Sequence, residues 1–155
     1  MIAVPQTATD LVKQFEGLER RIRRGSVITV VPYRCPAGFW TIGYGHLCNA
    51  NHPPISKAEA DAYLLADLDK ALAATLRCCP VLLLESEKRL AAMVDFCFNL
   101  GAGRLQTSTL RRRVNQRDWN AAAQELRRWI YAGGKVLPGL VTRRETEVRM
   151  LSAGS

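Results

Sequence analysis

CPAGFWTIGYGHL, residues 35–47, decides the reading of this chain. It packs a thiol, three glycines, an aromatic pair, a threonine and a histidine into one short segment. Phe39 to Ile42 is two aromatic residues followed by two β-branched ones, which suits a strand. CPAG before it reads as a turn. VITVV, residues 27–31, is β-branched as well. Together they predict a small antiparallel sheet over 27–47, closed by the breaker NANHPP at 49–54.

Working outward from that segment, both flanks turn helical. TATDLVKQFE, residues 7–16, predicts a short helix with Leu11, Val12 and Phe15 on one face. Thr7 is its expected cap and Gly17 its stop. Downstream, SKAE at 56–59 is a capping box. Leu64, Leu65, Leu68, Leu72 and Leu76 then form a helical stripe, and Pro80 ends it. A helix is expected from about Ser86 to Leu100, with Leu90, Met93, Val94 and Cys97 inward and Gly101 as its stop. Others are expected at 108–116, from Asp118 through Ala132 with the Gly133-Gly134 pair ending it, and from Pro138 to the end. The layout is α+β: a small β-containing N-terminal lobe, a long connecting helix and a helical C-terminal lobe. It is expected as one domain over 1–155, with lobes near 13–56 and 77–155 joined by the N-terminal helix and the helix 56–76.

The chain has 155 residues and a net charge of +8. That charge favours an anionic partner: nucleic acid, a membrane surface or an acidic polymer such as a cell wall. The basic residues gather in ERRIRR, TLRRRV, ELRRW and TRRETEVR. No nucleic-acid-binding motif accompanies them, so nucleic acid is not expected as the partner. No apolar run reaches the length of a membrane span. The first residues lack the basic-then-apolar layout of a signal peptide. Five cysteines include no CxxC pair. Cys48 and His52 are too little for a metal site, and neither metal nor cofactor is expected.

Glu16 is the carboxylate best placed for chemistry. It falls at a helix C-terminus, where the macrodipole disfavours negative charge and favours a general acid that keeps its proton. Alternatively it is a surface residue without a role. Thr41 suits a strand for packing reasons alone. His46 is either a base or a hydrogen-bonded structural residue. Trp40, Trp119 and Trp129 can stack on sugar rings or pack in a core.

These residues carry a resemblance. FEGL at 15–18 followed by YRCPAGFWTIGYGH at 33–46 resembles the active-site segment of the phage-type lysozymes, the muramidases and endolysins. ISKAEADAYLLADL at 55–68, AAMVDFCFNLG at 91–101, STLRRRVN at 108–115 and WIYAGGKVLPGLVTRRETE at 129–147 continue it in the family's order. The order of the segments makes the match specific. It implies a lysozyme-like fold and a peptidoglycan substrate, cut at the β-1,4 bond between N-acetylmuramic acid and N-acetylglucosamine.

By motif, the resemblance makes Glu16 the general acid, Cys35 the second catalytic member and Thr41 the third. Cys35 stands where many relatives carry aspartate, in YRDPAG. A thiol with an ordinary pKa of about 8.5 is mostly protonated at neutral pH and a poor base. Cys35 therefore orients water, attacks as a thiolate, or is a tolerated substitute; Arg34 beside it could lower its pKa. Tyr44, Phe98 and Asn99 are implied to line the cleft, with Asn99 equally suited to a helix cap beside Gly101. Arg143 is implied to pair with Glu16 or a neighbouring acid.

One departure stands out. LERRIRRGSVITVVP, residues 18–32, is longer than the family's usual connection between acid and second member. Either it forms a longer hairpin or flap that leaves Glu16 in place, or Glu19 or a shifted register supplies the acid. The resemblance further implies a monomer made in the host bacterial cytoplasm that reaches the periplasmic wall through a holin-like partner. Its basic helices are expected to touch an anionic membrane or envelope. The competing readings are a lytic transglycosylase and a cationic wall- or membrane-binding protein without catalysis.

Overall fold

The computed structural model describes residues 2–153. Met1, Gly154 and Ser155, at the ends of the expected domain, lie outside them. Contacts divide the chain into two units: Val12–Asp67, and the residues up to Leu11 together with those from Leu68 onward.

Helix α1, Gln6–Glu16, presents buried Ala8, Leu11 and Val12 on one face. Its start differs from the expectation. Thr7 is not the cap, because the Pro5 carbonyl already takes the first helical bonds, from Ala8 and Thr9. The Thr7 hydroxyl instead donates to Glu87. Gly17 ends the helix with φ 63° and an N–H bonded to the Lys13 carbonyl, as a left-handed cap requires.

The unit Val12–Asp67 contains two three-stranded antiparallel sheets where the sequence predicts one. β1 (Arg21–Arg24), β2 (Val27–Val30) and β6 (Ile55–Ser56) form the first, in the order β1-β2-β6. β3 (Tyr33–Arg34), β4 (Trp40–Ile42) and β5 (His46–Leu47) form the second, in sequence order. The long connection 18–32 is therefore a hairpin. Arg24 pairs with Val27, which leaves Gly25-Ser26 as a two-residue turn. Gly25 takes φ 62° at its first position, the requirement of a type II′ turn. An all-arginine and isoleucine segment, RIRR, was unreadable as a strand by alternation, because neither face is apolar.

Helix α2 spans Lys57–Cys78 and opens on the expected capping box. Ser56 Oγ accepts from the Glu59 N–H at 3.1 Å, and Glu59 Oε1 accepts from the Ser56 N–H at 3.2 Å. Residues 57–67 of this helix belong with the sheets rather than acting only as a connector. Ala60 and Leu64 are buried, and a Cβ at Gly43 would lie 3.1 Å from the Ala60 Cβ.

The other unit is helical. A short 3-10 turn, Pro80–Leu84, follows α2. Helix α3, Glu87–Leu100, is capped by Ser86, whose hydroxyl accepts from the Arg89 N–H at 3.2 Å. Leu90 through Cys97 are all buried, and α3 packs chiefly on α7, Pro138–Ala153. Between them lie α4 (Ala102–Gln106), α5 (Thr109–Asn115) and α6 (Trp119–Leu126). Ser108 and Asp118 cap α5 and α6. The helix expected through Ala132 stops at Leu126. Tyr131–Ala132 (β7) and Lys135–Val136 (β8) pair instead. Gly133 and Gly134 both take positive φ, 57° and 77°, which makes a type I′ hairpin turn rather than a helix stop.

Candidate active site

Glu16 is the last residue of α1, and its side chain is half-buried. Its carboxylate lies against the backbone of Gly45. A Cβ added at Gly45 would stand 3.2 Å from Glu16 Cδ and Oε1 and 3.5 Å from Oε2. Gly45 also has φ 78°. Glycine is demanded here twice, by the left-handed backbone and by the carboxylate it must admit. The GYGH signal thus has a physical meaning that its composition alone did not reveal.

Cys35 opens the turn between β3 and β4. Its N–H bonds the Phe39 carbonyl at 2.9 Å, and its carbonyl accepts from the Gly38 N–H at 2.8 Å. Pro36 pre-sets the second turn position, and Gly38 supplies φ 88°. The thiol is free and half-buried. Arg34 is engaged elsewhere. Strand alternation sends it to the face opposite Tyr33, and its guanidinium sits 5.4 Å from the centre of the Trp40 ring.

Thr41 is 2% exposed. Its hydroxyl donates to the Phe39 carbonyl at 3.0 Å, which leaves the oxygen lone pairs as acceptors. Across the strands Thr41 pairs with Tyr33. Tyr33 is the residue sequence reading passed over, although it stands in the quoted YRCPAG. Its phenol is pushed up to about 12, first by burial and then by the negative charges of Glu16, Glu19, Cys35 and Cys48. Tyr33 therefore feels both Glu16 and Cys35 and neighbours Thr41. The half-buried Tyr33 thus links the three expected catalytic residues, by strand pairing to Thr41 and by charge to Glu16 and Cys35. Glu19, the alternative acid, is exposed.

Tyr44 is only 7% exposed, with the Lys13 ammonium 5.2 Å from its ring centre. Most of its surface is spent on packing. His46 is hydrogen-bonded, as one of its two readings had it. Its Nδ1 lies 2.7 Å from Asp67 Oδ2, and its ring stacks on Tyr63 with centres 4.5 Å apart.

The remaining expected residues belong to the helical unit. Phe98 is half-buried on α3. Asn99 does not cap the helix; Gly101 does, through its N–H to the Cys97 carbonyl. Asn99 Oδ1 instead accepts from Arg144 Nη2 at 2.8 Å. That bond ties Asn99 to a buried cluster that the sequence reading missed. Arg143 forks onto Asp95, with Nε to Oδ2 at 2.9 Å and Nη2 to Oδ1 at 2.7 Å. Arg144 reaches Glu147 at 2.9 Å and the Trp129 carbonyl at 3.3 Å. Burial works to raise the Asp95 pKa, but the Arg143 fork outweighs it and holds the carboxyl below its usual range. Burial and a hydrogen bond to Asp95 push Glu147 well above its ordinary value. Burial and that bond therefore favour the protonated form of Glu147, against the pull of the Arg144 charge.

The tryptophans are all engaged within the protein. Trp129 meets Phe96 edge-on with ring centres 5.6 Å apart, and Arg89 lies 4.0 Å over Trp119. No helix of the described residues is long and apolar enough to cross a membrane.

Comparison with known proteins gives the context for this geometry. The family model Phage lysozyme matches residues 13–147. A SAR-endolysin of Enterobacteria phage PA-2 is 38% identical over 122 residues, 77% of this chain and 73% of that protein. An endolysin of Acyrthosiphon pisum secondary endosymbiont phage 1 is 34% identical over 142 residues, 88% of this chain and 89% of that protein. Among solved structures, the muramidase domain of SpmX from Asticaccaulis excentricus superposes with a TM-score of 0.79 at 29% identity. It covers 97% of this chain and 98% of its own.

Proposed function

Since the chain belongs to the phage lysozyme family, with a lysozyme-like α+β fold, we propose that it is an endolysin-type muramidase that hydrolyses bacterial peptidoglycan for host lysis. The bond cut is the β-1,4 link between N-acetylmuramic acid and N-acetylglucosamine. The observation that carries this reading is the Glu16 carboxylate. It stands at the end of α1, fitted against a glycine that can be nothing larger. The helix terminus disfavours a negative charge there, so Glu16 is suited to hold a proton and give it to the leaving glycosidic oxygen.

Water attacks the opposite face of the sugar. In an inverting arrangement the acid and the group that holds the water stand roughly 6.5–9.5 Å apart. The Thr41 hydroxyl donates its hydrogen bond to the Phe39 carbonyl, so a water is held by donating to the Thr41 oxygen. Cys35, free and on the turn beside it, orients that water from a second side. Tyr33 stays neutral up to strongly alkaline pH and does not compete as a base. Phe98 and Asn99 are the glycan-contact residues that the family resemblance adds, Asn99 with its carbonyl oxygen fixed by Arg144 and its amide left to donate. Tyr44 supports this face by packing. Release to the wall uses a holin-like partner, and the enzyme acts as a monomer.

The test is digestion of purified sacculi with identification of the released ends by mass spectrometry. Reducing muramic acid ends are expected. Anhydro ends would make the enzyme a lytic transglycosylase. Cys35→Ser is expected to keep measurable activity, because the thiol orients water rather than attacking; a total loss would assign it a covalent or basic role.

A further inference from the structure

The hairpin β1–β2 is the part of the molecule that this mechanism leaves unused. Its first strand carries Arg20, Arg21, Arg23 and Arg24 around a single isoleucine, with Glu19 the one nearby acid. Every residue of β1 is exposed. None of the four guanidinium groups has a hydrogen bond or carboxylate partner among the described residues. Several arginines elsewhere in the protein are tied down, on Asp95, Glu147, Glu85 or Glu145. A cluster of unpaired guanidinium groups repels itself and gains most from an external anion.

By alternation Arg24 shares one face with Ile22, Thr29 and Val27, and Arg21 and Arg23 lie on the other, opposite Val30 and Ile28. Cross-strand pairing sets Ile22 beside Thr29 and Arg24 beside Val27. Ile22 is 45% exposed and Val27 61%. On the opposite face Val30 is fully buried and pairs with Ile55, which anchors the hairpin to its unit. An exposed aliphatic pair beside Arg24, on an exposed edge strand that carries Arg21 and Arg23 on its other side, fits a phase that offers both phosphate and hydrocarbon. Glycan strands and nucleic acids offer the anion without the apolar layer.

We propose that the β1–β2 hairpin is a docking element for an anionic phospholipid bilayer. Ile22 and Val27 enter the headgroup boundary, and Arg20, Arg21, Arg23 and Arg24 meet lipid phosphates. The surface would hold the enzyme at the membrane face next to the wall it digests.

The test is co-sedimentation with vesicles of phosphatidylethanolamine and phosphatidylglycerol, beside vesicles of phosphatidylcholine alone. The wild type is expected to bind the anionic vesicles, and to be released as salt rises. The triple variant R21E/R23E/R24E keeps the strand edge charged, so it does not invite edge pairing. It is expected to lose roughly a hundredfold or more in partition. I22S/V27S is expected to weaken binding about tenfold while leaving its salt dependence. R21K/R23K/R24K should bind nearly as the wild type does.

Thermal melts and muropeptide release from sacculi, both without vesicles, should be unchanged in all three. Glu16→Gln should bind vesicles like the wild type, which separates this proposal from the catalytic one. Equal binding to neutral vesicles would overturn it, as would undiminished binding by the charge-reversed variant. A loss of binding to sacculi with vesicle binding intact would overturn it too, in favour of the wall polymer as the partner.

Discussion

The two units use arginine in opposite ways. In the helical unit Arg143 and Arg144 are buried and bonded to Asp95, Glu147, Asn99 and a backbone carbonyl. In the sheet-bearing unit the arginines of β1 are exposed and unemployed. The same residue type is a structural tie in one place and a free surface charge in the other. Net charge, read from the sequence, could not distinguish them. Burial and pairing decide which arginines leave a charge for a partner.

That contrast can be broken by single substitutions. The largest stability effect is expected from Asp95→Ala. It removes both bonds of the buried Arg143–Asp95 fork, and breaking a buried pair costs about 3–5 kcal/mol. Chemical denaturation should show it as a large drop in midpoint. A drop as small as that for a surface pair would mean that the cluster is wet and weak.

Gly45→Ala comes next. The residue would be forced to keep φ 78° at a cost of roughly 1–2 kcal/mol, with its Cβ driven toward the Glu16 carboxylate. The protein should fold but lose most of its activity. Normal activity in this variant would show that the fit between Gly45 and Glu16 is not needed.

The pH dependence sharpens the comparison. Glu147 holds its proton in the folded state far above its ordinary value of 4.5. Its contribution is complete below that ordinary value. It is lost as pH rises toward the folded-state pKa. Stability should therefore decline with rising pH above 4.5 in the wild type, and Glu147→Gln should flatten that decline. Asp95 runs the other way: its stabilisation is present above 3.8 and disappears as pH falls below it. Denaturant midpoints measured across pH check both signs.

The smallest effect belongs to the surface. Arg127 and Glu145 pair at 2.7 Å, but both are exposed. Arg127→Ser should cost no more than about 0.5 kcal/mol, and salt should erase the difference.

Much of this architecture was legible in the chain. The capping box at Ser56 and Glu59, the helix start near Ser86, the stop at Gly101 and the proline at the head of α7 are local signals, and each stands where it was read. The misreadings arose where local signals have two meanings. Gly133-Gly134 can end a helix or make a hairpin turn, and the backbone uses both glycines at positive φ for the second. Thr7 can cap a helix, but Pro5 had already opened it. β1 has no apolar alternation, so only its partner β2 makes it a strand. In the site, Glu16, Cys35 and Thr41 were picked out by motif. Tyr33 was missed because its importance comes from a cross-strand neighbour and from charges brought near it by folding. The Asp95–Arg143–Arg144–Glu147 cluster was missed for the same reason, since its members come together only where α3 packs on α7.

The most direct test of the account is the rate at which Glu16→Gln releases reducing ends from purified sacculi, beside a wild type of matched melting temperature. The account predicts a loss of about 10²–10⁴-fold, the range for removal of a general acid. A rate within a few-fold of the wild type would contradict it and move the acid to another residue.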